Sequence, residues 1–318
     1  MKDKILNSSL ADNRLHKTRW RRFLTDFKRD KYLTLMILPC VVFLIIFNYI
    51  PMYGVTLAFK DPNLTSPYGG AWAGLKYFQF FFMYADAWRL IWNTLIINIY
   101  GLLLFPLPII LALLFNELLR PKFKKLVQSI SYAPHFISTV VIVSMLVQAL
   151  SPSTGWVNEL IAALGGKPIY FLILPEWFRP LYLLSGLWQG LGWGTIIFMA
   201  TIAGVDAGLY DAAVIDGAGR FKQAIHVTLP SMANVIVILL IMNFGSMLSS
   251  GTEKILLMQN DLNMSTADVL GTYLYRVGLL NANFNLGTAV GFMNSVVSIL
   301  LILLVNWIAR KYSEASLF

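Results

Sequence analysis

Residues 206–230 read DAGLYDAAVIDGAGRFKQAIHVTLP. This polar, glycine-rich stretch lies between two apolar runs, 181–203 and 231–250. Gly217-Ala218-Gly219 ends any helix begun near Asp206, because glycine is a poor helix former and reaches backbone conformations that other residues avoid. Pro230 lacks the amide donor that a helix interior needs, so a second helix is expected to break there. The stretch therefore predicts two short helices with a bend between them, held on one side of a membrane. Leu209, Ala212, Ala213 and Asp216 fall at helical spacing. They give the first helix a narrow small or apolar ridge, of the kind that enters a groove on a partner protein.

Composition supports the membrane setting. The chain has 318 residues, 57% hydrophobic and 13% charged, with a mean hydropathy of +0.65. Soluble domains carry about 25% charged residues. The single cysteine, Cys40, excludes an intrachain disulfide and a cysteine-based metal site. The net charge of +9 is not a nucleic-acid signal, since it follows the placement of basic residues around the bilayer.

Residues 1–31 hold ten Lys or Arg and read as a basic cytoplasmic tail that sets topology or lies on anionic lipid. The tail is too long and too charged for a signal peptide, so the first apolar run, 32–50, is expected to stay as a signal anchor. Five further runs, 91–115, 130–150, 181–203, 231–250 and 288–309, approach the roughly 20 residues a spanning helix needs. Residues 32–318 thus read as one six-span domain. Pro106 and Pro108 predict a kink in the second span. Counting Lys and Arg puts eighteen on the side of the tail, the 206–230 segment and the C-terminus, and seven on the other side. By the positive-inside rule, both termini and residues 206–230 are cytoplasmic. Three outer loops remain, and the last, 251–287, is expected to form a short helix along the outer surface.

As drawn, the spans contain no Asp, Glu, Lys or Arg. Intramembrane charges cost about 2.5–3.5 kcal/mol each on insertion scales, so their absence argues against ion-coupled transport. Glu117 falls just past the second span, and His135 is read as packed against polar neighbours near the cytoplasmic end. No G-x-x-x-x-G-K-[ST] loop is present, so the chain cannot cradle nucleotide phosphates in the P-loop manner, which agrees with an ATPase on a separate chain. Gly186, Gly190 and Gly194 form a small-residue ridge suited to close helix contact. Trp188, Gln189, Trp193, Asn243 and Asn294 are the candidate substrate-pathway residues, with Ser246, Ser250 and Ser298 beside the last two. Uncharged amides and indoles suit sugar hydroxyls and ring faces. The same amides also serve as glue between helices, and both roles stay open.

The 206–230 stretch resembles the EAA signature of permease subunits of binding-protein-dependent ABC importers. That signature is E-A-A, three residues, G, nine residues, I-x-L-P. Here it reads Asp211-Ala212-Ala213, Gly217 and Val227-Thr228-Leu229-Pro230, with Asp for Glu and Val for Ile. Phe47 to Gly54 (FNYIPMYG), Tyr132 to Ser138 (YAPHFIS), Ala212 to Gly219 (AAVIDGAG) and Ala309 to Glu314 (ARKYSE) are similar to the MalF-like branch of carbohydrate permeases, importers of complex oligosaccharides such as those from alginate or pectin. The resemblance implies an all-α polytopic membrane protein of six transmembrane helices with the MetI-like, type I importer fold, in a bacterial cytoplasmic membrane. It further implies that Tyr210, Asp211, Ala212, Ala213, Asp216 and Gly217 couple the chain to an ATPase. The implied partners are a second homologous permease, two copies of an ATP-binding subunit and an extracytoplasmic solute-binding protein. ATP and Mg would sit on the ATPase, and this chain would hold no cofactor. Two other readings stand beside it. One is a permease for a non-sugar solute. The other is an intramembrane transferase using Asp206, Asp211 and Asp216. For an acidic sugar, Arg89, Arg179 and Arg276 on the outer side are the candidate contacts.

Overall fold

The computed structural model describes residues 30–63, 68, 70–248 and 251–312. The basic tail up to residue 29, Ser250 and residues 313–318 lie outside the described set. The chain divides into two units, and the boundary falls between Thr56 and Leu57.

In the first unit, α1 (Lys31–Leu44) runs on through a π-helical turn (Ile45–Tyr49) and a short α-helical turn (Ile50–Met52). None of these residues is buried. The Ile50 amide bonds to the Ile45 carbonyl five residues back. That wider turn lies directly ahead of Pro51, whose ring would otherwise press on the preceding turn.

The second unit contains α2 (Lys76–Met83), α3 (Ala87–Leu103), α4 (Pro106–Asn116), α5 (Pro121–Tyr132), α6 (Thr139–Ala149), α7 (Trp156–Ala163) and α8 (Pro175–Ala203). It continues with α9 (Ala207–Ile215), α10 (Arg220–Gln223), α11 (Ala233–Ser246), α12 (Thr252–Met258), α13 (Met264–Ala267), α14 (Leu270–Leu274) and α15 (Phe284–Tyr312). Among the described residues, four helices are long and apolar enough to cross a membrane: Lys31–Phe59, Ala87–Asn116, Pro175–Ala203 and Phe284–Lys311. Six crossings result when each of two bent helix pairs counts as one. The expected break at Pro106 is present, between α3 and α4.

The two bent pairs correct the sequence reading. The third span, drawn as continuous over 130–150, is broken by 97° between Pro121–Phe136 and Thr139–Ala149. Pro134 sits in a 3-10 turn, and Ile137 and Ser138 are extended before Ser138 caps α6. At 1.5 Å per residue, the 11 residues of α6 reach only about half of a 30 Å hydrocarbon core. The fifth span, drawn from residue 231, begins at Ala233 and meets Arg220–Ser231 at 62°.

The third outer loop departs furthest from expectation. Much of residues 251–278 is packed into the protein rather than laid on its surface. They form α12, α13, α14 and a π-helical turn, and Ile255, Met258, Ala267 and Val269 share a buried cluster with Ile97, Val143 and Phe178. Such short segments expose backbone groups that must find partners once water is gone. Asn93, 2% exposed, donates from Nδ2 to the carbonyls of Ser265 (3.0 Å) and Asp268 (2.9 Å). Thr94 Oγ1 accepts the Leu270 amide at 2.9 Å. Asn263 Nδ2 donates to the carbonyls of Leu172 and Met258. The Asp268 carboxylate takes the Thr272 hydroxyl and the Arg276 guanidinium, both at 2.8 Å.

Ahead of α2, Asp61 accepts from Lys76 Nζ (2.7 Å) and the Tyr77 hydroxyl (2.9 Å). The hydrogen bond from Lys76, then that from Tyr77, holds the Asp61 carboxyl below its usual 3.8. A depressed carboxylate contributes above its unfolded pKa, and its contribution fades as pH falls through the folded value, so this tie persists at neutral and mildly acidic pH. Burial, then the Asp61 bond, pushes Tyr77 up to about 12.

Asn93→Leu strands the buried Asp268 carbonyl, the partly buried Ser265 carbonyl and the Arg179 guanidinium that Asn93 also binds. Each buried group left unpaired costs on the order of 1–3 kcal/mol. The detergent-solubilised protein is expected to melt several degrees lower. An unchanged melting temperature would show that Asn93 does not hold the loop.

Candidate functional site

The 206–230 stretch folds as a capped helix, a bend and a rod. Asp206 Oδ1 accepts the Gly208 amide at 2.9 Å and caps α9. At the other end the Ala218 amide bonds to the Ala213 carbonyl (2.9 Å) and the Gly217 amide to that of Val214 (3.0 Å). Gly217 sits at φ +77°. These bonds form a Schellman turn, which takes glycine at that position. An added Cβ at Gly217 would meet no atom within 4 Å, so the requirement is backbone conformation and not space. Gln223 Nε2 closes the bend by donating to the Ala218 carbonyl at 2.7 Å.

Pro230 does not end the second helix. Residues 224–228 form a π-helical turn, the Leu229 amide reaches the Ala224 carbonyl, and the rod continues to Ser231. The chain bends instead at Met232, which is fully buried. Tyr210 Oη and Thr228 Oγ1 lie 3.0 Å apart and brace α9 against the rod. Arg220 reaches Glu117 at 3.6 Å, an exposed pair worth little stability.

No residue of α9 is buried. The expected ridge is not all on one free face: Ala213 and Tyr210 are half-buried, while Leu209, Asp211, Ala212 and Asp216 are exposed. Val214 and Ile215 widen the exposed apolar surface, with Ile215 86% accessible.

A second candidate region is a cavity of about 500 Å³ between α3, α4, α8, α11 and α12, within the usual size range of small-molecule sites. Its wall is mainly apolar, with Gln189, Asn243 and Lys254 as the long polar side chains. Gln189 Nε2 also donates to the Ile137 carbonyl at 3.0 Å, inside the break of the third crossing. Asn243 donates back to Leu239 in its own helix.

The other three expected pathway residues lie elsewhere. Trp188 lines a separate apolar cavity with Ile142, Met145 and Trp156. Trp193 stacks on His135 at 4.3 Å with the rings nearly parallel, so His135 meets an aromatic face where polar neighbours were expected. Asn294 donates to the Leu248 carbonyl at 3.0 Å, and its Oδ1 is buried with no partner among the described residues.

The glycine ridge of α8 also has a second use. Gly186, Gly190 and Gly194 line the cavity, and an added Cβ at Gly190 would meet nothing. Gly194 keeps the expected close helix contact, since a Cβ there would come within 3.1 Å of Pro108 on α4, and Gly192 adds a second, where a Cβ would collide with the Ser131 backbone.

Lys254 was hidden from the sequence reading because it lies outside every span. It is 7% exposed, and its Nζ bonds the Tyr182 carbonyl at 3.1 Å and lies 5.1 Å from the Tyr182 ring centroid. Burial alone pulls its pKa down from 10.5 to about 8. Spans free of basic residues therefore do not mean a cavity free of them. The three outer arginines are engaged within the chain: Arg89 with Asp86 (2.9 Å), Arg179 with Asn93 (2.8 Å) and Arg276 with Asp268 (2.8 Å).

Comparison with known proteins places these features in a family. Protein LplB of Bacillus subtilis (strain 168) is 44% identical over 301 residues, 93% of this chain and 94% of the relative. The polygalacturonan/rhamnogalacturonan transport system permease protein YteP of the same strain is 42% identical over 304 residues, 95% of each. A solved chain of a bacterial ABC transporter involved in the import of the acidic polysaccharide alginate matches with a TM-score of 0.85 at 39% identity, covering 92% of this chain and 99% of that one. A second structure, of a bacterial alginate ABC transporter in complex with an alginate pentasaccharide-bound periplasmic protein, matches with a TM-score of 0.86 at 38% identity and the same coverage. The family described as binding-protein-dependent transport system inner membrane component matches residues 105–314. With its bent crossings, capped bend and exposed α9, the chain belongs to this family of multi-pass inner-membrane permease subunits.

Proposed function

We propose that this chain passes an acidic oligosaccharide from an extracytoplasmic solute-binding protein into the cytoplasm, as one of two homologous permeases driven by two copies of a separate ATP-binding subunit. The observation that carries the coupling is α9: a capped helix with no buried residue and with exposed Leu209, Val214 and Ile215, closed by the turn at Gly217. An apolar helix left exposed on a soluble face calls for a protein partner. The excess of Lys and Arg supports a cytoplasmic position for this face and both termini, and ATP and Mg would sit on the partner. Tyr210 positions the helix from within, and Asp211, Ala212 and Asp216 face the ATPase. Residues 32–318 act as one permease domain behind the basic tail.

The cargo is read from two sources. YteP is named for polygalacturonan and rhamnogalacturonan, and the solved neighbours are alginate importers. The cavity offers Gln189 and Asn243 to hydroxyls. Trp188, Trp193 and Asn294 act on helix packing around it.

Co-purification from native membranes is expected to yield this chain with a second permease and an ATPase, whose turnover rises with cargo-loaded binding protein. A homo-oligomer without ATPase activity would end this reading. Gly217→Val forces a β-branched residue into the left-handed region, at a cost on the order of 1–2 kcal/mol. Uptake should fall at least ~tenfold with membrane insertion intact, while Gly217→Asn keeps most of it. Equal uptake by both variants would rule out the turn as the coupling element. Gln189→Leu should slow uptake without separating the subunits. Full uptake at all cargo concentrations would leave Gln189 only its tie to Ile137.

A further inference from the structure

We propose that Lys254 is the residue that selects acidic cargo, by meeting a uronate carboxylate inside the cavity. This rests on the oligosaccharide reading above and assigns the charge recognition to one side chain. An ammonium has three donors. The Tyr182 carbonyl takes one of them, and no carboxylate of a described residue lies within ion-pair distance of Nζ.

A buried cation without a counter-ion is costly to a fold, and such groups are retained mainly where a ligand completes them. The surroundings fit this use. Gly186 faces Nζ, and a Cβ there would come within 3.3 Å of it. The missing side chain leaves the approach open from the cavity side. Gln189 and Asn243 line the same space and suit the hydroxyls of a sugar ring. The Tyr182 ring holds the stem side of the ammonium by a cation–π contact. The engaged outer arginines leave Lys254 as the basic group lining this cavity.

The test uses the complete transporter in proteoliposomes with its binding protein. The probes are galacturonate trimers and short mannuronate oligomers. Lys254→Met keeps the stem and removes the charge, and Lys254→Arg keeps the charge. Lys254→Met should lower uronate uptake at least tenfold, while ATPase stimulation by loaded binding protein persists and the melting temperature stays level or rises. Lys254→Arg should restore uptake to within a few-fold of wild type.

Wild-type uptake by Lys254→Met would overturn the proposal and leave the permease reading standing. A lower melting temperature with loss of both uptake and ATPase stimulation, unrescued by Arg, would show that Lys254 is structural. A wild-type transporter that imports neutral oligosaccharides but neither uronate would sink the acidic-cargo reading, and this role with it.

Discussion

Asn93 bonding two carbonyls of residues 265–268 is the contact on which the packing of the segment from Thr252 to Leu274 depends. Irregular backbone survives inside a membrane protein only where other protein groups replace water. Asn93, Thr94 and Asn263 supply those groups for the segment from Met258 to Leu270. With the backbone satisfied, Ile255, Met258, Ala267 and Val269 can pack against α3, α6 and α8. That packing carries α12, and with it Lys254, to the cavity wall. A polar network thus decides where a charged side chain ends up.

The coupling end of the chain, around residues 206–232, is built around bends instead. Ile109, Ala112, Phe198, Ile202 and Met232 form a separate buried cluster, and it sits where the rod from Arg220 turns into α11. The Tyr210–Thr228 contact and the Gln223–Ala218 bond keep α9, the turn and the rod as one body. The exposed helix is therefore mounted on a rigid support, and its apolar face is presented, not loosely tethered.

The membrane class, the number of crossings and the capped bend were legible because they depend on local signals: long apolar runs, glycine at a left-handed position, and fixed spacing around it. Two kinds of feature were not. The break in the third crossing lies inside an apolar run, where Pro134 and Ser138 change direction without changing composition. The packing of the segment from Lys254 to Tyr273 depends on partners up to 176 positions away, such as Thr94 bonding Leu270. A loop rich in Asn, Thr and Asp looks solvated until those partners are known. Lys254 was placed outside for the same reason. Of the five amide and indole residues chosen from the spans, Gln189 and Asn243 line the cavity. Periodicity separates one face of a helix from another but does not say which neighbour each face meets.

The π-helical turns ahead of Pro51 and Pro230 have a consequence for the pattern of side chains. A turn closed by a bond five residues back holds one residue more than an α-helical turn. Each residue of an α-helix advances the side-chain direction by about 100°. Across Ala224–Thr228 the angular phase of the helix therefore slips by about that amount. Positions that share a stripe with Arg220 and Gln223 fall out of line beyond Leu229. The periodicity restarts there with a new origin, so residues ahead of the turn and those just beyond it present different sides before the chain bends at Met232.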